Sequence, residues 1–493
     1  MATIAPPTPP AFPQPQIDPD ALIKEARERR RRRRQRIALV LVAVAAACAC
    51  LAYGFARLGG GGVGTQHVRG GPVVNVGAFR GHGRLAFVSH RVLWVLDGEH
   101  GKLRRLPSSG GFVPTRPAFS RDGRWMAYLA QRIDPNTGTA RARLWLAHGD
   151  GTDPRVIGDV SPYDLYGWSP RNDTLAVAAG PEQTRQPCPC YSPTTLRLVT
   201  PNGSSRVLAR GPWINGAAWS PDGREIAVAV EGPLERSVVA TYPVAGGART
   251  VWLRFARHVP LNGMTQILTS VAGWWRGVGI GFWAVGNGMV RNLDQTPLDV
   301  VAAPNARPRL LAQTLSDGTT TAVAAAARGV AVAVVADVSR GYEGGREIWS
   351  EKQVQVCPPA APCRGLVSRA SKVTLDPAWS ADGRTLAFVE APALRDAAWP
   401  QQRLHRWYAE HMLALYDARS GHVTTLPRAR GATVPAWAPN GKSLLYVSGD
   451  GLWLLPSLTG RPVEIATPLF PPNNWPAYYG QIAWTAQFAW WAK

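Results

Sequence analysis

The sequence predicts an all-β fold, a β-propeller of four-stranded antiparallel blades. One observation is a short segment that recurs about every fifty residues, a spacing typical of propeller blades. A second is that two further β-favouring runs follow most copies, which makes four strands per unit. The clearest copies are residues 118–128 (AFSRDGRWMAY), 217–230 (AAWSPDGREIAVAV), 378–389 (AWSADGRTLAFV) and 436–447 (AWAPNGKSLLYV).

Each copy reads as a β-hairpin. An aromatic residue such as Trp219 closes one apolar run, and Ile226, Val228 and Val230 alternate with small residues in the next. Asp-Gly between two such runs favours a tight turn, because glycine accepts a positive φ and aspartate caps the turn with its side chain. The recurring Asp122, Asp222 and Asp382 are therefore interpreted first as turn formers rather than as catalytic carboxylates.

The period indicates eight blades, with seven as the alternative. The residue before the turn marks each copy, although the copies around Trp275 and Ala327 lack Asp-Gly and are assigned by spacing and alternation. A further fragment from Ile482 onward resembles the first hairpin of another copy, so we expect a C-terminal strand to pair with the first blade and close the ring. The marker residues are Phe79, Phe119, Trp168, Trp219, Trp275, Ala327, Trp379 and Trp437.

The repeated pattern [FW]-S-x-D-G-[RK]-x-[LI]-A-[FV] resembles that of TolB-type β-propellers, the WD-like repeats of bacterial envelope proteins. The resemblance covers residues 73–491 and is clearest at Phe119, Trp219, Trp379 and Trp437. It implies a propeller fold in the cell envelope. It implies little about activity, because propellers include enzymes, receptors and scaffolds.

The N-terminal region predicts a membrane anchor. Residues 1–36 form a Pro-rich and Arg-rich tail that ends near the six arginines at 29–34. Residues 37–56 carry no charge and are long enough to cross a bilayer as one helix. A Gly-rich linker, residues 57–72, precedes the propeller at 73–493. Arginines before the span place the N-terminus inside and the propeller outside a bacterial cytoplasmic membrane.

Two alternatives for this region stay open. The span could belong to a cleaved signal peptide, including a lipoprotein signal that uses Cys48. The arginine run could instead bind nucleic acid, although an apolar span follows it at once. We therefore expect no nucleic-acid partner.

The chain carries a formal charge of +22, and the nine basic and four acidic groups of residues 1–36 supply +5, which leaves +17. Such a surface favours an anionic envelope polymer or an envelope protein as partner.

The cysteines agree with an oxidising compartment. Cys357 and Cys363 flank a short loop within one blade, and we expect them to form a disulfide. Cys188 and Cys190 are separated by one residue, which leaves open a labile pair, a crosslink elsewhere or two thiols. The sequence near them offers no further zinc ligands, and no metal or cofactor is expected.

Motifs for catalysis are missing from the sequence. It has no G-x-S-x-G, H-E-x-x-H or Walker motif. The sequence therefore favours a membrane-anchored, extracytoplasmic, non-enzymatic binding or scaffolding module. The alternative is a polysaccharide-active, lyase-like enzyme on the loop-rich propeller face, where active residues converge from separate blades.

The longest insertion, residues 391–411, is the predicted partner-binding element. It connects the second and third strands of one blade, on the face where insertions collect. Trp, Tyr and Arg dominate interface hot spots, and the insertion is rich in them. The alternative is that its tryptophans seal the loop onto its own blade. The candidate binding residues are Trp399, Arg403, His405, Arg406, Trp407, Tyr408 and His411.

Overall fold

A computed structural model gives the fold of residues 65–67, 70–107, 110–133, 140–158, 160–180, 193–231, 237–255, 268–285, 296–314, 323–326, 331–337, 352–359, 361–367, 371–394, 401–469 and 483–492. The chain divides into two compact units, Met1–Val63 and Gly64–Lys493. All described residues lie in the second unit. The predicted tail, membrane span and most of the linker therefore lie outside the described residues.

The described strands form several four-stranded antiparallel sheets, which confirms the predicted all-β propeller. They group into eight sets of four, numbered here as blades 1 to 8, of which two neighbouring sets join in one sheet. The strands of each blade are given from the innermost outward. Blade 1 consists of β34 (Phe488–Trp491), β3 (Arg84–Ser89), β4 (Val92–Asp97) and β5 (Lys102–Arg105), and blade 2 of β6 (Val113–Phe119), β7 (Trp125–Ile133), β8 (Ala140–His148) and β9 (Arg155–Ile157). Blade 3 consists of β10 (Pro162–Trp168), β11 (Leu175–Ala179), β12 (Thr195–Val199) and β13 (Ser205–Arg210), and blade 4 of β14 (Trp213–Trp219), β15 (Glu225–Glu231), β16 (Val238–Pro243) and β17 (Thr250–Arg254).

The other four blades contain the two degenerate repeats and the only α-helix of the described residues, α1 (Gln401–Ala409). Blade 5 consists of β18 (Leu268–Trp275), β19 (Gly279–Val285), β20 (Thr296–Val301) and β21 (Arg309–Thr314), and blade 6 of β22 (Val323–Ala325), β23 (Val332–Asp337), β24 (Lys352–Cys357) and β25 (Arg364–Gly365). Blade 7 consists of β26 (Lys372–Trp379), β27 (Thr385–Pro392), β28 (Met412–Asp417) and β29 (Val423–Arg430), and blade 8 of β30 (Ala432–Trp437), β31 (Leu444–Ser448), β32 (Gly451–Leu455) and β33 (Val463–Thr467).

The core is divided into eight apolar seams, one between each pair of consecutive blades. Val88 and Tyr128 belong to the seam between blades 1 and 2. Leu454 and Phe87 belong to the seam between blades 8 and 1, which completes the ring. The blades' first strands contact one another around the ring, as β6, β10 and β14 do, so these strands surround the central channel.

In blades 3, 4 and 8 the motif tryptophan ties its blade to the blade before it. The indole N–H of Trp168 donates to the carbonyl of Ala118 at 3.0 Å, and that of Trp219 donates to Gly167 at 3.0 Å. Trp437 repeats the bond across the seam between blades 7 and 8. The aromatic residue of the motif therefore supplies a directional bond as well as apolar area. Among the described residues, the buried indole N–H of Trp379 has no such partner.

The aspartates of the motif shape the turns, as interpreted from the sequence. In blade 4 the buried Ser220 hydroxyl donates to Asp222 at 2.7 Å and accepts the backbone N–H of Glu225 at 3.0 Å. The Asp222 carboxylate also accepts the backbone N–H of Arg224. Blades 2 and 7 repeat this arrangement around Asp122 and Asp382.

Both ends of the described chain lie where blade 8 meets blade 1, and only the C-terminal end closes the ring. β34 pairs with β3 as the innermost strand of blade 1, which confirms the predicted C-terminal closure. The fragment before it, Trp484–Ala486, is a single 3-10 turn rather than a hairpin strand. Two short strands, β1 (Thr65–His67) and β2 (Val73–Asn75), extend the outer edge of blade 8, because β2 pairs with β33. Residues 73–75 therefore do not begin blade 1.

The predicted disulfide is present in blade 6. Cys357 ends β24 and Cys363 precedes β25, and the two Cα atoms lie 4.0 Å apart. None of the helical segments among the described residues is long and apolar enough to cross a bilayer. The predicted span at 37–56, together with Cys188 and Cys190, lies outside the described residues.

Replacing Trp219 by Phe should lower the free energy of unfolding by about 1–2 kcal/mol, because the Gly167 carbonyl loses its donor. The matched control is Trp379→Phe at the same motif position, where no indole bond to a described residue is lost. Urea denaturation of both variants measures the difference. Equal losses would show that the indole bond contributes nothing beyond apolar packing.

Candidate functional site

The structure divides the predicted binding residues of the 391–411 insertion into a buried and an exposed set. Trp407 is only 5% exposed, belongs to the seam between blades 6 and 7, and donates from its indole to the Pro392 carbonyl at 2.7 Å. His411 is also buried, whereas His405 and Arg406 are exposed on α1. These burial values favour the alternative for Trp407, which seals the helix onto blade 7.

The remaining predicted residues are placed only in part. Tyr408 is half-buried and packs against Trp407 and His411, with ring centroids 5.2 and 5.0 Å away. Arg403 lies within α1, but its side chain is not described, and Trp399 lies outside the described residues. Of the predicted residues whose side chains the structure describes, His405 and Arg406 are the exposed ones.

His411 is enclosed in an aromatic setting. Its ring lies edge-on to Trp407, with centroids 4.4 Å apart, and neither ring nitrogen has a well-aligned hydrogen-bond partner among the described residues. Burial lowers the pKa of His411 to about 4, and an interaction with the Ala432 backbone opposes the shift only weakly. The histidine is therefore neutral in the folded protein at neutral pH.

This histidine predicts a loss of stability in acid. The unfolded chain has the ordinary histidine pKa of about 6.5 and takes up the proton first as the pH falls. The contribution of neutral His411 to the free energy of unfolding should be complete above about pH 6.5. It should fall by about 3 kcal/mol at most as the pH is lowered to 4. His411→Phe should flatten this part of the stability profile. The control His405→Phe, on the exposed face of α1, should leave it unchanged. An unaltered profile in His411→Phe would contradict the assignment.

A second group of polar side chains lies on the innermost strands, where the sequence did not point. We call Arg116, Tyr163, Asp164 and Tyr166 the channel cluster. The Arg116 guanidinium on β6 lies 2.5 Å from the Asp164 carboxylate on β10. The Tyr166 hydroxyl accepts the backbone N–H of Gly216, on β14, at 2.9 Å. The cluster therefore spans the inner strands of blades 2, 3 and 4.

Backbone irregularities interrupt the inner strands beside these side chains. The pairing of β10 with β11 is interrupted at Tyr163 and again between Leu165 and Trp168, so the regular alternation of side chains is lost there. The pairing of β6 is interrupted beside Arg116, which has a φ of +53°. Bulges of this kind redirect a side chain and occur often beside active sites. Asp376 and Val434 have the same conformation, so the bulge is a feature of the repeat.

Burial raises the pKa values of two groups of the cluster, Tyr163 and Asp164, although both side chains are partly exposed. Burial raises the pKa of Asp164, and the opposing effects of Arg116 and the Leu165 N–H do not offset it. Yet the Asp164 side chain is 21% exposed. Burial, and then the Asp164 charge, also raise the pKa of Tyr163, which is 45% exposed. Groups that solvent reaches but protein surrounds are candidates for a functional site.

The residue of blade 7 that corresponds to Arg116 is a carboxylate with a structural role. Asp376 is buried and accepts the Thr433 hydroxyl at 2.7 Å and the Val434 N–H at 3.0 Å. Arg116 and Asp376 both stand three residues before the motif aromatic. A polar residue at that offset is the sequence signal that could have indicated the channel, although it does not separate the structural position from the accessible one.

No protein-family model and no curated protein matches the chain. Solved structures that resemble it are propeller proteins. One is the propeller domain of the Trilobed protease from Pyrococcus furiosus, at 10% identity over 73% of this chain and 100% of that one, with a TM-score of 0.42. Another is a puromycin-hydrolysing peptidase from Mycobacterium tuberculosis, at 15% identity over 75% of this chain and 57% of that one, with a TM-score of 0.45. An oligogalacturonate lyase from Vibrio parahaemolyticus is similar over 76% of this chain and 93% of its own, at 11% identity and a TM-score of 0.42. The chain spans just over half of the peptidase.

The prediction that the chain is not an enzyme is wrong. The similar structures are mostly enzymes, among them prolyl endopeptidases, acylaminoacyl peptidases and oligogalacturonate lyases. The physical reason for the error is that a propeller brings together residues from separate blades. Missing motifs along the chain therefore exclude little.

Proposed function

We propose that this chain is an extracytoplasmic TolB-type propeller enzyme that acts on an anionic polysaccharide, with the channel cluster as its active site. The observation that supports it is the pair formed by Arg116 and Asp164, which solvent reaches within the ring of inner strands. Tyr163, the neighbour of Asp164 on β10, adds an exposed phenol. This combination of cation, carboxylate and phenol suits a sugar ring that carries a carboxylate.

The chemistry follows from the charges. In elimination from a uronate ring, a base removes the proton next to the carboxylate, and the glycosidic oxygen leaves as it gains a proton. Arg116 would neutralise the substrate carboxylate, which makes that proton more acidic. Asp164 would act as the base, because its raised pKa makes the carboxylate a better proton acceptor. Tyr163 would protonate the leaving oxygen, since its raised pKa keeps the phenol protonated.

The rest of the chain supports this setting. The charge of +17 beyond residue 36 would attract an anionic polymer. The Cys357–Cys363 disulfide suits an oxidising compartment, as an anchor at residues 37–56 with the propeller outside requires. On α1, exposed His405 and Arg406 remain proposed contacts for the polymer or for an envelope protein.

The test of activity uses the full chain with polygalacturonate, alginate and heparin as substrates. Elimination gives unsaturated sugars that absorb ultraviolet light, together with new reducing ends. Asp164→Asn and Tyr163→Phe should each lower kcat about 100-fold or more, as loss of a general acid or base does. Arg116→Gln should lower kcat and raise KM, because Arg116 both acidifies the proton and binds the substrate carboxylate.

The matched control is Asp153→Asn. Asp153 forms an ion pair with Arg155 at 2.6 Å on blade 2, outside the channel cluster. The control should keep wild-type kinetics, and all variants should keep the wild-type melting temperature within a few degrees. Turnover that survives Asp164→Asn, or no turnover on any of the three polymers, would reject the proposal.

The proposed anchor has its own test. Membrane fractions should contain the chain with its N-terminus intact, and protease added outside intact cytoplasmic membranes should digest the propeller. A mature chain that begins at Cys48 or near Gly54 would instead support cleavage of a signal peptide.

A further inference from the structure

A cleft opens between blades 4 and 5 on the face formed by the motif turns. In blades 2, 4 and 7 the first and second strands are joined by five residues, 120–124, 220–224 and 380–384. In blade 5 only residues 276–278 join β18 to β19. The shorter turn leaves a cleft of about 450 Å³ beside Asp222 of blade 4. A cleft of this volume can hold a small ligand.

Neighbouring turns fill the equivalent space elsewhere. Between blades 2 and 3, Arg124 bridges to Asp173 at 3.0 Å, and Arg121 donates to the Pro170 carbonyl at 2.6 Å. Between blades 3 and 4, Gly223 lies against Pro170 and Arg171 so closely that a β-carbon would crowd them. The cleft therefore results from the short turn of blade 5.

The short turn is rigidly held. The Val278 N–H donates to the Trp275 carbonyl at 3.1 Å. Gly279 has a φ of +120°, and a β-carbon there would overlap the Val301 carbonyl. Trp275 is buried with its ring against two glycines, Gly273 and Gly281. The cleft wall is thus formed before any ligand arrives, which lowers the entropic cost of binding.

Besides the buried Trp275, the walls carry one half-buried tryptophan, two carboxylates and one cation. Trp274 is half-buried and is held edge-on by Trp252, with ring centroids 5.3 Å apart. Bonds from the Ser220 hydroxyl and the Arg224 N–H lower the pKa of Asp222, which is charged at neutral pH. Glu225 accepts the Thr241 hydroxyl at 3.1 Å, and Arg276 is exposed.

We propose that this cleft is a second carbohydrate site, which binds one pyranose ring. An indole presents an apolar surface to the C–H face of a pyranose. The fixed carboxylates accept hydrogen bonds from vicinal hydroxyls, and the guanidinium of Arg276 donates to others. The mixed charge of the walls favours a neutral, hydroxyl-rich ligand over an ion. The site lies on the turn face and shares no residue with the channel cluster.

The experiment titrates the full chain with methyl glucoside, methyl galactoside, methyl N-acetylglucosaminide and trilysine, and records saturation-transfer NMR and tryptophan fluorescence. At least one glycoside should bind, and trilysine should not. Trp274→Ala should weaken binding by about tenfold or more, given the energy of an aromatic contact. Ala302→Trp should block the cleft, because Ala302 is exposed at its edge and replacing it removes no packing.

Two controls make the result specific. Asp122→Asn changes the equivalent turn of blade 2 and should leave binding unchanged, as should Asp164→Asn in the channel. Failure of the proposed enzyme activity would leave this result unaffected. Binding of trilysine in place of the glycosides, glycoside binding that survives Ala302→Trp, or no binding of any glycoside would overturn the proposal.

Discussion

The apolar seam between neighbouring blades is the contact on which the fold depends. A four-stranded sheet has two apolar faces and cannot bury both by itself, so each blade is stable only between two others. Each seam combines residues of two blades, as Leu146 and Val177 do between blades 2 and 3. The indole bonds from Trp168 and Trp219 add direction to this packing, because a hydrogen bond fixes how one inner strand stands against the next.

Much of the fold could be predicted from the sequence because the repeat is a local pattern. Strand alternation, the Asp-Gly turn and the aromatic at Trp219 recur together, and spacing with alternation located the degenerate blade at Trp275. What the pattern could not give is pairing between distant segments. Val73–Asn75 resembles a first strand, yet it joins β33, because blade 1 already receives its inner strand from the other end of the chain.

The candidate site could not be predicted from the sequence for a related reason. Arg116 and Asp164 are 48 residues apart and meet only because the ring aligns their strands. Aspartates also differ by environment rather than by type: Asp222 shapes a turn, Asp376 is buried against Thr433, and Asp164 faces accessible space. Environment likewise decides the roles of aromatic residues, since Trp407 anchors α1 while Trp274 borders a cleft.

The way the ring closes has a consequence for how such a chain can change during evolution. Blade 1 takes its inner strand from residues 488–491, and blade 8 carries two extra strands within residues 65–75, so both ends of the described chain meet at one seam. A duplication or deletion of one whole repeat in the interior would leave that junction intact, and the ring could gain or lose a blade with its closure preserved. Loss of the final strand would instead expose the edge of β3 and favour exchange of strands between two copies of the protein.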